Sequence, residues 1–416
     1  RDYANSEYGT AIVGTVSGNS ISFGSPTVFN SNGGTQNIST TFDSSNQKVV
    51  IAYKDFGDNN YAKAIVGTVS GTSISFGSST TFNSSNSGVI TTAYDSTNQK
   101  VVVAYCDFGD NSYGKAKVGT VSGTSISFGS EVVFNSGASN QYNSAVYDSS
   151  NQKVVIAYKD NGNSAYGTAI VGTVSGTSIS FGSPTVFNAG NTGTVVAEYD
   201  STNNKVVVAF QDIPNSDRGR AIVGTVSGTS ISFGSPVTFT SDYTNNFSVT
   251  FDSTNNNVVI SYRDGGWSYY GRAIVGTVSG TSISFGYPFV FESANTNRIS
   301  STFDSSNGKL VVAYTDNGNS YHGTAVVFTP ITMTTIYTTD LTSENYIGIS
   351  DGAYNDGQTA TIQVTGSVDD AQSGLTAGQA YYVQGDGTLS ETADSPSVFA
   401  GTAVSASKII VKGWHF

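Results

Sequence analysis

The chain has 416 residues, 37% of them hydrophobic, enough for one large domain and one small one. With 18 basic residues against 30 acidic ones the net charge is −12. That argues against nucleic acid or an anionic membrane as partner, because phosphate recognition relies on basic patches; no apolar run is long enough for membrane insertion.

In chain order, the segment AIVGTVSG begins at Ala11 and returns, with small changes, at Ala64, Ala116, Ala169, Ala221 and Ala273. A divergent copy begins at Ala325, and the successive spacings are 53, 52, 53, 52, 52 and 52 residues. Each unit holds four strand-like runs bounded by Asn, Asp, Gly and Ser, with no helical period. The runs follow the pattern SVTFD, VVISYRD, RAIVGTVSG and SISFGSPVTF. Four strands in about 50 residues predict an all-β fold, a β-propeller of four-stranded blades.

Inner strands at Phe42, Tyr94, Tyr147, Tyr199, Phe251 and Phe303 imply six blades. Arg1-Asp2 aligns with Arg263-Asp264, so the N-terminal hairpin is expected to complete the last blade, which lacks a fourth strand. One third strand is then surplus, and seven blades, with further sequence upstream, is the alternative. The propeller is assigned to residues 1–329, and Pro330 with the Thr-rich run to residue 340 reads as a linker. Residues 341–416 read as a small β domain for attachment or oligomerisation, with runs at Tyr346–Ile349, Thr359–Thr365, Ala380–Val383 and Lys408–Val411.

The loops fall into two sets. Those joining strands one to two (DSSNQK and variants) and three to four (SGTS or SGNS) barely change between units. Those joining strands two to three, such as DFGDNNYAK and DGGWSYYGR, and those leading to the next unit vary freely. All of the variable loops fall on one face, which suggests a ligand surface on a rigid scaffold. Of the six arginines, Arg218, Arg220, Arg263, Arg272 and Arg298 cluster in the late units, with Arg1 joining them on ring closure. Trp267, Tyr269 and Tyr270 share those loops, and Tyr243 and Phe247 lie near in sequence. Guanidinium forks suit carboxylates and sulfates, and aromatic faces suit sugar rings. A glycan site on these residues is one reading; neutralisation of Asp212, Asp264 and Asp316 by the arginines is the other.

Asp55 with Asp58, and Asp107 with Asp110, have calcium-like spacing, but Asx-turns explain them equally and no cofactor is expected. Tyr8, Tyr61, Tyr113, Tyr166 and Tyr270 precede the third strands regularly and read as packing. Cys106 allows no internal disulfide, and with Lys54, Lys159, Gln211, Arg263 and Thr315 at equivalent positions it is expected to be exposed. The two histidines, His322 and His415, are too few for a triad or a histidine metal site. Glu198 and Asp212 are the carboxylates a glycosidase would use, and non-enzymatic binding is the expectation.

An inner strand ending in Asp and a second ending Tyr-x-Asp resemble sialidase-like propellers, although their Ser-x-Asp-x-Gly-x-Thr-Trp box is absent. The repeat AIVGTVSGTSISFGSP resembles those of virion proteins of marine tailed phages. LTSENYIGIS, the run Gly374–Val383, GDGTLSETA and AGTAVSASKIIVKG resemble modules of phage tail-fibre and appendage proteins. The resemblance implies a structural or receptor-binding protein on the virion surface, an extracellular setting, contacted by other virion proteins and oligomeric, often trimeric. Its partner would be a host-surface glycan or receptor. The start shows no signal-peptide pattern, which fits assembly in the cytoplasm. A purely architectural virion component and a glycan-cleaving enzyme are the competing expectations.

Overall fold

The computed structural model describes residues 2–137, 142–330, 348–350, 361–364, 366–383, 388–393 and 398–411. Arg1, His415 and nearly all of the expected linker lie outside them. The chain divides into two compact units, Arg1–Thr332 and Met333–Phe416.

The first unit is a β-propeller. Blade one contains Thr35–Asp43, Lys48–Asp55 and Tyr61–Ser70, paired antiparallel in that order. Blades two to five repeat the arrangement, and blade six has Thr296–Asp304, Lys309–Asp316 and His322–Phe328. The second strands read VVIAY or close to it because both faces of a blade are covered by its neighbours. Val102, Ala104, Val154, Ile156, Tyr158 and Phe210 are wholly buried for that reason. A phenylalanine of each fourth strand bridges the blades, as Phe82 meets Phe128 at 5.3 Å and Phe134 meets Phe181 at 5.9 Å.

The fourth strand is broken, where the sequence reads as one run. Ser73–Phe76 pairs with the end of Tyr61–Ser70 and Thr80–Asn83 with its beginning. Gly77 stands at the break, and a Cβ there would lie 2.0 Å from the Thr124 carbonyl oxygen of the next blade. Gly24, Gly129, Gly182 and Gly234 make the same approach to Thr72, Thr177, Thr229 and Thr281. The SGTS turn and the glycine it touches are therefore fixed by blade-to-blade packing.

The DSSN turn is fixed in the same way. Asp43 accepts from the amides of Ser45 and Asn46 and from the Asn46 side chain, and the next blade's Tyr94 hydroxyl bonds Ser45 Oγ at 2.8 Å. On the opposite face the contact that recurs from blade to blade is a backbone one, while the side-chain bonds differ between blades. The amides of Ser87, Thr192, Thr244 and Thr296 donate to the carbonyls of Asn60, Ala165, Asp217 and Tyr269. Any side chain satisfies such a bond. Packing thus accounts for the asymmetry between constant and variable loops, so variability alone does not mark a ligand surface.

The N-terminal segment does not complete blade six. Gly9–Ala11 pairs with Thr27–Asn30, and Gly14–Ser17 with Ser20–Phe23. Among the described residues His322–Phe328 pairs only with Lys309–Asp316. The segment already contains its own third strand, so it stands as the outer half of a seventh blade. Phe29 meets Phe76 of blade one at 5.8 Å, and Asn19 accepts from Lys309 of blade six at 2.8 Å.

In the second unit a five-stranded sheet runs in the order Val368–Asp369, Lys408–Val411, Val398–Ser405, Ala380–Val383, Leu389–Ser390. Its core is Leu375, Tyr381, Ala400, Ala403 and Ile409. Ala380–Val383 and Lys408–Val411 are strands at the bounds read from the sequence. The described parts of the other two runs hold the short pair Ile349–Ser350 and Ile362–Gln363.

Candidate functional site

Each second-to-third loop ends in two consecutive left-handed residues before the third strand begins. The second of these is Asn60, Ser112, Ala165 or Asp217 in blades one to four, but Tyr269 in blade five (φ 67°) and Tyr321 in blade six (φ 61°). A bulky side chain in this region costs about 1–2 kcal/mol, and small polar residues carry it more readily. Tyr269 is held there 39% exposed. The Arg263 guanidinium lies 4.0 Å from the ring centroid, and its Nη2 donates to Asn295 Oδ1 at 3.3 Å. Blade four contributes Tyr243 and Asp242, which pack against Gly265 and Gly266. Trp267 ends the short 3₁₀ turn between them and is half-buried. The result is an aromatic, hydrogen-bonding surface spanning blades four, five and six.

Other predicted residues are committed elsewhere. Arg272 Nη1 bonds Asp264 Oδ2 at 3.1 Å with both side chains buried, and its guanidinium lies 5.1 Å from the Trp267 ring. Burial raises the Asp264 carboxyl, and Arg272 opposes the rise without cancelling it. Arg220 bonds Asp212 at 2.9 Å and the Pro236 carbonyl at 3.1 Å. For these two, the neutralising reading holds. Arg218 is exposed, donates to the Ser241 carbonyl and stands opposite Tyr243 in the strand register. Arg298 lies apart in blade six, 5.2 Å from the Tyr3 ring. Tyr270 starts a strand opposite Asp264, and Phe247 is core.

The four aspartates with calcium-like spacing are engaged by lysines. Lys63 reaches Asp55 at 2.9 Å and Asp58 at 2.8 Å, and Lys115 reaches Asp107 at 3.0 Å and Asp110 at 2.7 Å. An ammonium occupies the place a cation would take. Burial alone would lower the Lys115 pKa, but Asp110 and Asp107 outweigh it and hold it above the usual lysine value. Among the described residues no group of three or more His, Cys, Asp or Glu could hold a metal. Cys106 is fully buried rather than exposed, because the neighbouring blade covers its position; Lys159 and Gln211 are buried there too. Glu198 and Asp212 do not form a pair. Asp212 pairs with Thr192 across the strands, six residues along the strand from Glu198, so roughly 20 Å separates them.

A second, related cluster escapes a reading based on arginine. Lys54, equivalent to Arg263, lies 5.1 Å from the Phe56 ring and 6.0 Å from Phe108, and bonds Asn86, the equivalent of Asn295, at 2.9 Å. Aligning the repeats position by position would have found both.

No family model matches the chain, and no curated protein matches it. Among solved structures, a protein from Lactobacillus plantarum is similar at a TM-score of 0.51 and 12% identity, over 78% of this chain and 97% of its own. A leech intramolecular trans-sialidase complexed with 2,7-anhydro-Neu5Ac has a TM-score of 0.48 and 7% identity, over 70% of this chain and 67% of its own. The SapL1 lectin, solved with alpha methyl fucoside, has 0.44 and 15%, over 71% and 95%. At these identities the likeness is one of fold, and it does not reach the phage resemblance.

Proposed function

We propose that the protein binds a glycan reversibly through the surface around Tyr269 and Arg263, without turnover, as a receptor-binding appendage of a phage particle. The observation that carries the binding reading is the Tyr269 ring, held in a strained backbone conformation with a guanidinium stacked on it and the Asn295 carboxamide beside them. Strain of this kind persists where surrounding structure enforces it, often at ligand sites. An aromatic face takes the C–H face of a sugar, while Arg and Asn orient its hydroxyl or carboxylate groups. The distance between Glu198 and Asp212 supports binding over hydrolysis. The phage setting rests on the sequence resemblance.

The test incubates the chain with host-derived polysaccharides, scoring retention and released reducing ends together. Tyr269→Gly relieves the strain, so it should fold at least as stably while retention falls about tenfold or more, equivalent to ~1.4 kcal/mol. Retention unchanged by Tyr269→Gly and Arg263→Ala together would remove the site. New reducing ends would replace binding with catalysis.

A further inference from the structure

The second strands carry a cation in every other blade, one residue before their closing aspartate. Lys54, Lys159 and Arg263 stand there in blades one, three and five, and Cys106, Gln211 and Thr315 in blades two, four and six. The neighbouring blade alternates in step. Asn86, Asn191 and Asn295 hold one position in blades two, four and six, each preceding the residue whose amide bonds the blade before it. Lys54 bonds Asn86 at 2.9 Å, and Arg263 bonds Asn295 at 3.3 Å. Each cation also lies near an aromatic ring of a residue more than a third exposed: Phe56 for Lys54, Tyr142 for Lys159 and Tyr269 for Arg263.

What these three cations lack is a carboxylate. Lys63, Lys115, Arg220 and Arg272 each reach an aspartate within 3.1 Å, whereas among the described residues Lys54, Lys159 and Arg263 form no ion pair. In a chain of net charge −12 acids are plentiful, so the shortage is particular to this position. Lys159 is the sharpest case, because it is only 8% exposed and its ammonium has no hydrogen-bond acceptor among the described residues. Burial lowers the pKa of Lys54 and of Lys159, with no acid opposing it. A buried charge without a counter-charge is costly, and packing does not demand one, since cysteine, glutamine and threonine fill the same position. We infer that Lys54, Lys159 and Arg263 are three equivalent seats for the anionic groups, carboxylate or sulfate, of an acidic polysaccharide. The exposed aromatic faces take the sugar rings that carry those groups, and three seats on one chain add avidity along a repeating polymer. The inference rests on the glycan reading and extends it from one blade junction to three and from glycans at large to acidic ones.

The test measures retention of the whole chain on polygalacturonate, dextran sulfate and neutral dextran at one ionic strength. Retention is expected on a charged polymer and not on dextran, and the polymer that retains it tells carboxylate from sulfate. Lys54→Met, Lys159→Met and Arg263→Met keep the stem and remove the charge, and each should weaken retention about tenfold, the worth of one charge-assisted hydrogen bond. The triple variant should not be retained, while Lys159→Arg, which keeps the charge, should be. Melting curves no lower than the parent's are expected, since each change to Met removes an uncompensated charge. Lys205→Met takes the same charge from the constant-loop face and should change nothing. Equal weakening by Lys205→Met, or equal retention on dextran, overturns the inference. Retention lost with Tyr269→Gly but unchanged by Lys54→Met and Lys159→Met also overturns it and leaves the single glycan site standing. Retention on no polysaccharide, charged or neutral, removes both.

Discussion

Glu198 is the titratable side chain on which the propeller's pH response is predicted to turn. It sits on the inner strand of blade four, where the equivalent residues are Thr41, Ala93, Val146, Thr250 and Thr302. Burial pushes its carboxyl up to about 7 from an ordinary 4.5, with a backbone hydrogen bond opposing weakly. Between those values the folded state keeps a proton that the unfolded chain has released, so stability falls as pH rises through the window and levels off above it. Because the side chain is half-buried and not enclosed, the loss is on the order of 1–3 kcal/mol. Glu198→Gln should be flatter than the parent from pH 4.5 to 7 and more stable at pH 8, read by urea unfolding at each pH. Equal slopes in the two proteins would mean that Glu198 is freely solvated. Arg220 and Arg272 give the complementary lesson about what a sequence reveals. Their clustering with aromatics was legible, but which arginines turn inward depends on the strand register, which sets Arg220 and Arg272 diagonally across from Asp212 and Asp264, eight residues earlier in the chain. Tyr269 stood in plain sight, since aligning DGGWSYY with DFGDNNY puts it where Asn60 supplies a left-handed turn.

At the scale of the strand, the repeat was readable because packing writes it. The glycine after SISF is required by a carbonyl of the next blade, and that contact made the period conspicuous. The same contact hid the break in the fourth strand, because a run of β-branched and aromatic residues around one glycine reads as continuous. Two glycines now separate the two roles. A Cβ on Gly182 would lie 2.0 Å from the Thr229 carbonyl oxygen, and neither backbone can yield without opening the blade interface. Gly182→Ala should cost about 1–3 kcal/mol, the range for overpacking. Gly323, on the third strand of blade six, has nothing within 4 Å of the Cβ position, whereas Phe291 presses on the equivalent Gly271. Gly323→Ala should therefore stay within about 0.5 kcal/mol of the parent or gain slightly. Equal effects of the two substitutions on urea unfolding would deny that blade contacts select the glycine.

Across the whole propeller, each blade contacts only its two neighbours, so stability is close to a sum of blade terms and interface terms. Blades two to five have both walls covered. The wall of blade six bearing Val311 and Ala313, and the wall of blade one bearing Ile38 and Phe42, lack half their cover. Apolar area left in water withholds roughly 25 cal/mol per Å², and local opening is easiest where that support is least. Amide hydrogen exchange should consequently be graded around the ring. The amides of Lys205–Asp212 in blade four, at the centre of the covered arc, should exchange slowest. Those of Lys309–Asp316 in blade six should exchange faster, although both strands make the same ladder bonds to their neighbours. Gly9–Ala11 and Gly14–Ser17, paired on one edge among the described residues, should be fastest of the three. Hydrogen exchange resolved by peptide or by residue measures this directly. Equal protection in blades four and six would show that the ring opens as one cooperative unit.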